Sequence, residues 1–298
     1  MFGFIPLNKP FGFTSHDCVA KVRRLLNIKK VGHGGTLDPA ATGVLPIAVG
    51  KATRLLPFLP ENKAYKATIR FGMQTTTDDL QGEVIKSQST SNLTIEDIKP
   101  LLNDFLGEIE QIPPIYSAIQ RDGKRLYELA RKGETVEVPV RKVRVDKIEV
   151  LDFYIEEFAE LVVNIECGPG TYIRAIARDM GEKLGVGGTL AALTRTKSCG
   201  MMLSETLTLE ELEKKIEQEK FSLNKPELLL KHLPSITLSL EEGKRWCQGQ
   251  KIAIDTINNV SNSHIIQVNN EVGEFLGMSQ IISKDTHQIL KPKVVINE

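Results

Sequence analysis

Between Gly32 and Pro46 the chain reads Gly-His-Gly-Gly-Thr-Leu-Asp-Pro-Ala-Ala-Thr-Gly-Val-Leu-Pro, with one carboxylate and one imidazole set among glycines and small apolar residues. The chemistry such a loop offers is that of a single acid, Asp38, on backbone that can approach another molecule closely. Gly32, Gly34 and Gly35 permit positive φ. Pro39 pushes Asp38 out of the helical region into an extended conformation. An ordinary Asp-Pro turn uses the same two residues, but the flanking glycines and the apolar run from Ala40 to Pro46 favour a site. A carboxylate acting as nucleophile or base where water is excluded needs a partner charge, or it is neutralised by a proton.

A candidate partner lies far along the chain. Gly168-Pro169-Gly170 turns a strand into a helix starting near Thr171, which places Arg174 in the first turn, where the macrodipole disfavours a cation. Its neighbours at helical spacing, Gly170, Thr171, Ala177 and Arg178, include no carboxylate. The anion that balances Arg174 must therefore come from elsewhere in the sequence.

The elements that position these groups can be read from periodicity. Ser15 can cap a helix to about Leu26 that turns Val19, Val22 and Leu26 inward and leaves Lys21, Arg23 and Arg24 elsewhere. From Tyr65 to Phe71 the pattern alternates, with Tyr65, Ala67, Ile69 and Phe71 on one face of a strand. On this ground alone Tyr65 is a core tyrosine. Leu161, Val163, Ile165 and Cys167 alternate in a second strand. Thr94 with Asp97 opens a helix burying Ile98, Leu101, Leu102, Phe105 and Leu106, with Pro100 in its first part and Gly107 at its end. Thr208 with Glu211 opens another, with Leu209, Leu212 and Ile216 inward. After a Lys/Pro-punctuated connector at 224–234 the segments become short and strand-like, broken by Gly243, Gly249, Gly273 and Gly277, which predicts a second small domain.

Composition bounds the function. With 298 residues, 41% of them hydrophobic, the chain can bury a sizeable core. No apolar run approaches the roughly 18 residues needed to cross a bilayer, and Met1–Pro10 lacks a basic segment ahead of an apolar one, so a cytoplasmic protein is expected. Cys18, Cys167, Cys199 and Cys247 show no CxxC spacing and His33 no HxH or HxxxH spacing, so buried thiols and no metal site are expected. Basic and acidic residues balance at 38 each, yet residues 1–70 carry net +8 and residues 121–147 net +4. Such blocks steer a polyanion. The run from Gln111 to Lys147 interleaves Tyr116, Arg121, Lys124, Arg125, Tyr127, Arg131, Lys132, Arg141, Lys142 and Arg144. That composition suits a strand of RNA as well as it suits a solvated hairpin and helix.

The Gly32–Pro46 loop resembles the signature of the bacterial TruB family of tRNA pseudouridine synthases, G-H-x-G-x-L-D-P-x-A-T-G-x-L-P, with every fixed position filled. The resemblance extends through Leu7-Asn8-Lys9-Pro10, Lys63-Ala64-Tyr65, Pro113-Pro114-Ile115-Tyr116-Ser117-Ala118 and Gly170-Thr171-Tyr172-Ile173-Arg174. It implies an α+β pseudouridine synthase fold with a mixed, mostly antiparallel central sheet flanked by helices. It also implies a catalytic domain over 1–232, an RNA-clamping insertion at about 111–147, and a PUA-like RNA-binding β-barrel over 233–298.

The implied activity is isomerisation of a uridine to pseudouridine at position 55 in the T loop of tRNA, by base flipping and aspartate-dependent exchange of the glycosidic bond. No cofactor is implied, and the chain is expected to act as a monomer without an obligate protein partner. Asp38, Tyr65 and Arg174 would be catalytic, with the Arg174 guanidinium forking onto both Asp38 oxygens. The substrate-binding group would be His33 within the RNA loop, Leu193 against the base, Asp79 near the active-site network, Tyr172, Arg141, and Lys9 as a buttress of the catalytic loop. The chain departs from the family pattern at Thr75-Thr76-Thr77, where T-D-T is frequent, at Gln120, where lysine is frequent, and at Pro169. A non-catalytic tRNA-binding or tRNA-folding chaperone would need the same basic segments, but not Asp38, Tyr65 and Arg174 together. A phosphate-cradling enzyme is disfavoured because neither GxxxxGK[ST] nor GxGxxG is satisfied.

Overall fold

The computed structural model describes residues 1–117, 120–121, 124–125, 138–254, 264–284 and 287–296. The chain opens with β1 (Gly3–Lys9), α1 (Ser15–Leu26), β2 (Val31–His33) and β3 (Thr42–Val49). A 3-10 helix, Gly50–Phe58, leads to β4 (Lys63–Phe71), the hairpin of β5 (Met73–Thr75) and β6 (Val84–Ser87), α2 (Ile95–Ile98) and β7 (Gly107–Gln111). The two-residue strands β8 (Gln120–Arg121) and β9 (Lys124–Arg125) pair with each other. Next come β10 (Arg141–Ile155), β11 (Ala159–Cys167), α3 (Ile173–Lys183), β12 (Gly188–Ser198), β13 (Met201–Met202), α4 (Leu209–Glu217) and α5 (Pro226–Leu229). The last unit comprises β14 (Ser235–Leu238), α6 (Leu240–Cys247), β15 (Ile252–Ile254), β16 (Ile265–Asn270), β17 (Phe275–Lys284) and β18 (His287–Val295).

These elements make an α+β molecule built on two sheets. The larger runs β1-β3-β12-β4-β11-β10-β7, with β2 added to β3 and β13 to β12; only β3 and β12 pair in parallel. The smaller runs β14-β16-β17-β18-β15, parallel only between β14 and β16. The alternation in β4 and β11 is realised as expected. Tyr65, Ala67, Ile69 and Phe71, with Leu161, Val163, Ile165 and Cys167, are all buried in one cluster together with Ile173, Ile176, Ala177 and Met180 of α3. Each large apolar side chain buried this way contributes about 1.5–3 kcal/mol. α3 lies so close to the start of β12 that a Cβ at Gly181 would stand 2.1 Å from the Gly188 nitrogen.

The two sheets share a core. Phe275, Met278, Val294 and Ile296 pack in one buried cluster with Phe4, Val44, Ala48 and Leu55. Lys51 and Arg54 reach across to the carbonyls of Ile296 and Val295, at 2.9 and 3.0 Å.

Three local expectations are corrected. The cap of α1 is Thr14, in a capping box with Asp17, rather than Ser15. The helix expected from Thr94 is α-helical only to Ile98 and continues as a 3-10 helix, Lys99–Phe105, because Pro100 lacks the N–H that an α-helical bond needs. Ile98 and Phe105 are still buried, whereas Leu106 is exposed. α3 is capped at Tyr172, one residue later than expected, with no side-chain cap bond; the Gln111 side-chain oxygen accepts from the Tyr172 N–H at 3.1 Å instead.

Candidate active site

The loop between β2 and β3 is held from beneath by two buried cations and one buried hydroxyl. The Lys9 ammonium, wholly buried at the end of β1, donates to the carbonyls of Pro10 (2.9 Å), Phe13 (2.6 Å) and Pro39 (3.2 Å). The Arg195 guanidinium, equally buried, donates to the carbonyls of Val44 (2.8 Å), Thr36 (3.2 Å) and Gly35 (3.0 Å). Ser15 accepts from the Leu37 N–H at 2.9 Å and donates back to the Leu37 carbonyl at 3.2 Å. Carbonyls on both sides of Asp38 are thus fixed by charge-assisted bonds, which are stronger than neutral ones. Within the loop only Gly35 and Gly43 take positive φ, not Gly32 or Gly34 as the sequence suggested. Gly43 is required on a second ground: a Cβ there would meet the Arg195 carbonyl at 2.3 Å.

Asp38 meets its counter-ion from the remote helix. Arg174 Nη2 stands 3.0 Å from Asp38 Oδ2, with the arginine side chain 7% exposed and the aspartate 47%. The expected fork onto both Asp38 oxygens is corrected. Nη1 faces Asp79 Oδ2 at 3.7 Å, and the guanidinium is further locked by the carbonyls of Thr77 and Tyr116, each at 3.0 Å. Four groups from three loops surround one planar cation, so only one corner is left for Asp38. The Asp38 side chain, 47% exposed, lines a cleft.

Asp79 is oriented by its own turn. Its carboxylate accepts from Thr77 Oγ1 at 2.5 Å and from the Gln81 N–H at 3.0 Å. The Thr76 hydroxyl accepts from the Glu83 N–H at 3.1 Å, so the departure to threonine keeps a turn acceptor. Asp78 next to it is paired with Arg178 at 3.0 Å; burial raises its pKa, against the pull of that arginine.

A cleft of about 230 Å³ opens over these groups, lined by Asp38, Tyr65, Tyr172, Arg174, Leu193 and Arg195 among others. Tyr65 and Arg195 are cross-strand neighbours on β4 and β12, and both line the cleft. Burial raises the Tyr65 pKa, opposed by the positive field of Arg195. Burial also raises the Tyr172 pKa, opposed by Ser117, Arg141 and Arg174. Lys63, on the cleft wall, is pushed below its usual range by burial and by Arg195.

Five of the expected site residues, Asp38, Tyr65, Arg174, Leu193 and Tyr172, therefore share one cleft, with Asp79 behind Arg174 and Lys9 beneath the loop. His33 lies apart from the cleft lining, edge-on to His16 with ring centroids 5.4 Å apart, and its Nδ1 is buried with no hydrogen-bond partner among the described residues. Arg141 is exposed at the start of β10, where it pairs with Gln111. The remaining basic run is described in part. Ala118, Tyr127, Arg131 and Lys132 lie outside the described residues, and the side chains of Gln120, Arg121, Lys124 and Arg125 are likewise outside them. Sequence reasoning missed Arg195 and the loop-holding role of Ser15. The only signal for Arg195 was a cation at an inward strand position, and bulges on either side of it, at Leu190/Ala192 and Arg195/Lys197, break the parity that would have revealed it.

Residues 23–173 match the model of the TruB family pseudouridylate synthase N-terminal domain, about half of the chain. The chain belongs to the TruB family. Further TruB models, described as the tRNA pseudouridylate synthase B C-terminal domain and as pseudouridine synthase II TruB, C-terminal, match residues 174–239 and 234–296. Among curated TruB relatives, tRNA pseudouridine synthase B of Gloeothece citriformis is 62% identical over 100% of this chain and 98% of its own length. That of Synechocystis sp. is 50% identical over 100% of both chains. Among solved structures, an H/ACA RNP bound to a substrate RNA containing 2'-deoxyuridine has a chain that superposes with a TM-score of 0.75 at 25% identity, covering 99% of this chain and 86% of its own. A chain of a Cbf5-Nop10-Gar1 complex superposes with the same TM-score at 26% identity, covering 99% and 84%.

Proposed function

We propose that this chain isomerises a uridine of tRNA to pseudouridine, and that the uridine is position 55 of the T loop. The observation that carries this reading is the Asp38–Arg174 pair, 3.0 Å apart at the floor of a cleft walled by Tyr65 and Leu193. The target nucleotide leaves its stack, at a cost of a few kcal/mol, and its uracil enters the cleft between Tyr65 and Leu193. Asp38, paired with Arg174 yet half exposed to the cleft, attacks the sugar or base or removes a sugar proton. The N1–C1' bond breaks, the ring turns, C5 bonds to C1', and the C5 proton is lost while N1 gains one. No oxidant, reductant or energy source is needed.

In this reading Tyr65 offers a flat face and a hydroxyl beside Arg195, while Lys9 and Arg195 fix the loop. Tyr172 meets the RNA in the cleft, while Arg141 and His33 meet it outside the cleft lining. Residues 1–232 form the catalytic domain, with residues 111–147 clamping RNA, and residues 233–298 form an RNA-binding module. The chain works in the cytoplasm as a monomer without a required protein partner.

The test is incubation with unmodified tRNA transcript and chemical mapping of pseudouridine, beside Asp38→Asn. A product confined to the T loop and absent with the variant supports the reading. Tight tRNA binding with no pseudouridine anywhere overturns it in favour of a tRNA-folding role.

A further inference from the structure

Asp38 belongs to two recesses. Besides the cleft that holds Tyr65, a second and smaller one of about 50 Å³ is lined by Phe11, Asp38, Ala40, Leu80, Gln81 and Arg174 among others. Its outer walls are apolar and exposed: Phe11 is 65% accessible and Leu80 38%. An exposed phenylalanine is unremarkable on a mobile loop, but this one is built rigidly. Pro10 precedes it, Gly12 follows at φ +83°, and the Gly12 N–H donates to the Pro39 carbonyl at 2.9 Å. The buried Lys9 ammonium binds the carbonyls on both sides of it, those of Pro10 and Phe13, together with that of Pro39. The backbone at Phe11 is thus fixed relative to Asp38 by the same cation that supports the catalytic loop, and its ring is exposed to solvent.

We infer that Phe11, opposed by Leu80, is a stacking platform for a nucleobase that neighbours the isomerised uridine in the bound RNA loop. This rests on the proposed action on RNA. Extruding one nucleotide strips its neighbours of a stacking partner, and a flat apolar ring next to the flipped base replaces it without reading sequence, because every base has a π-face. Continuity with the cleft identifies the occupant: the two recesses share Asp38, Arg174 and Leu193, so a chain that places one nucleotide over Tyr65 runs its next residues past Phe11.

The test uses the full-length protein and a tRNA T-arm stem-loop, with the dissociation constant and single-turnover rate measured for Phe11→Ala, Phe11→Leu and Phe11→Tyr. Phe11→Ala should weaken binding by roughly fivefold to a hundredfold, the range spanned by stacking of one base. The rate at saturating RNA should change far less. Phe11→Tyr should bind as the unaltered protein does, and Phe11→Leu should resemble Phe11→Ala. Removing one loop base at a time in abasic stem-loops should reveal one neighbouring position where the Phe11→Ala penalty vanishes.

Unchanged binding by Phe11→Ala, or a penalty that persists on every abasic stem-loop, would overturn the platform while leaving pseudouridine formation intact. If the unaltered protein binds RNA without isomerising it, the catalytic reading fails, and the Phe11 binding series still decides the platform. If it binds no RNA, both fail.

Discussion

Both halves of the molecule bury polar side chains, and they do so with opposite chemistry. Under the catalytic loop the buried polar groups include three cations, Lys9, Arg174 and Arg195, and no described carboxylate is buried to the same degree. In the C-terminal sheet the buried polar groups are neutral. Gln267 donates to the carbonyls of Leu230 and Leu233, each at 3.0 Å, and Trp246 Nε1 donates to Ser279 Oγ, whose hydroxyl donates to the Lys291 carbonyl at 2.9 Å. Neutral pairs of this kind fix a fold at low desolvation cost. Three buried cations held by carbonyls set up a positive field where Asp38 and a polyanionic substrate meet. One arrangement serves position alone, and the other serves position and charge.

Arg174→Lys should break the comparison most sharply. An ammonium cannot span Asp38, Asp79 and the two carbonyls at once, so turnover should fall about 10²- to 10³-fold, as for loss of one preorganised electrostatic group. Pseudouridine release in single-turnover assays measures this, and a rate within twofold of the unaltered protein would show that Arg174 is only structural. Arg195→Met should act on both properties. Leaving the Gly35, Thr36 and Val44 carbonyls without a donor should cost more than about 3 kcal/mol in urea unfolding, and the slackened loop should slow turnover as well.

Gln267→Leu sharpens the contrast from the other side. It should cost about 1–3 kcal/mol, for the two carbonyls left unpaired, with turnover per folded molecule unchanged. A loss of turnover there would mean that the second sheet takes part in the chemistry.

The smallest effect is one of pH. Burial, then His16 and Arg195, hold the His33 pKa below its ordinary 6.5. The unfolded chain therefore takes up this proton first, so the stability tied to neutral His33 is complete above pH 6.5 and declines as the pH falls below it. Urea midpoints between pH 7 and pH 5 should drop more steeply for the unaltered protein than for His33→Gln; parallel curves would place the proton elsewhere.

What sequence made legible follows from what is local. The inward row of β4, the Thr208–Glu211 capping box and the lone Asp38 on its loop each declare themselves within a few residues. The distant anion for Arg174 was inferable because its own helix offers no carboxylate at helical spacing. The split of its guanidinium between Asp38 and Asp79 was not, since it depends on how the Asp78–Asp79 turn docks against β12, through the Asp78 carbonyl and the Leu190 N–H. Ser15 was misread because two adjacent hydroxyls, Thr14 and Ser15, can each cap a helix, and only the packed loop decides which one does.

Lys9 carries a last consequence. Its ammonium sits in a ring of carbonyl oxygens like those with which proteins coordinate alkali and alkaline-earth ions, except that here the ion is tethered to the chain by four methylenes. Such a centre is loaded as soon as the polypeptide folds. Neither dialysis nor a chelator can strip it, and the scaffold around Asp38 should be indifferent to which salts accompany it.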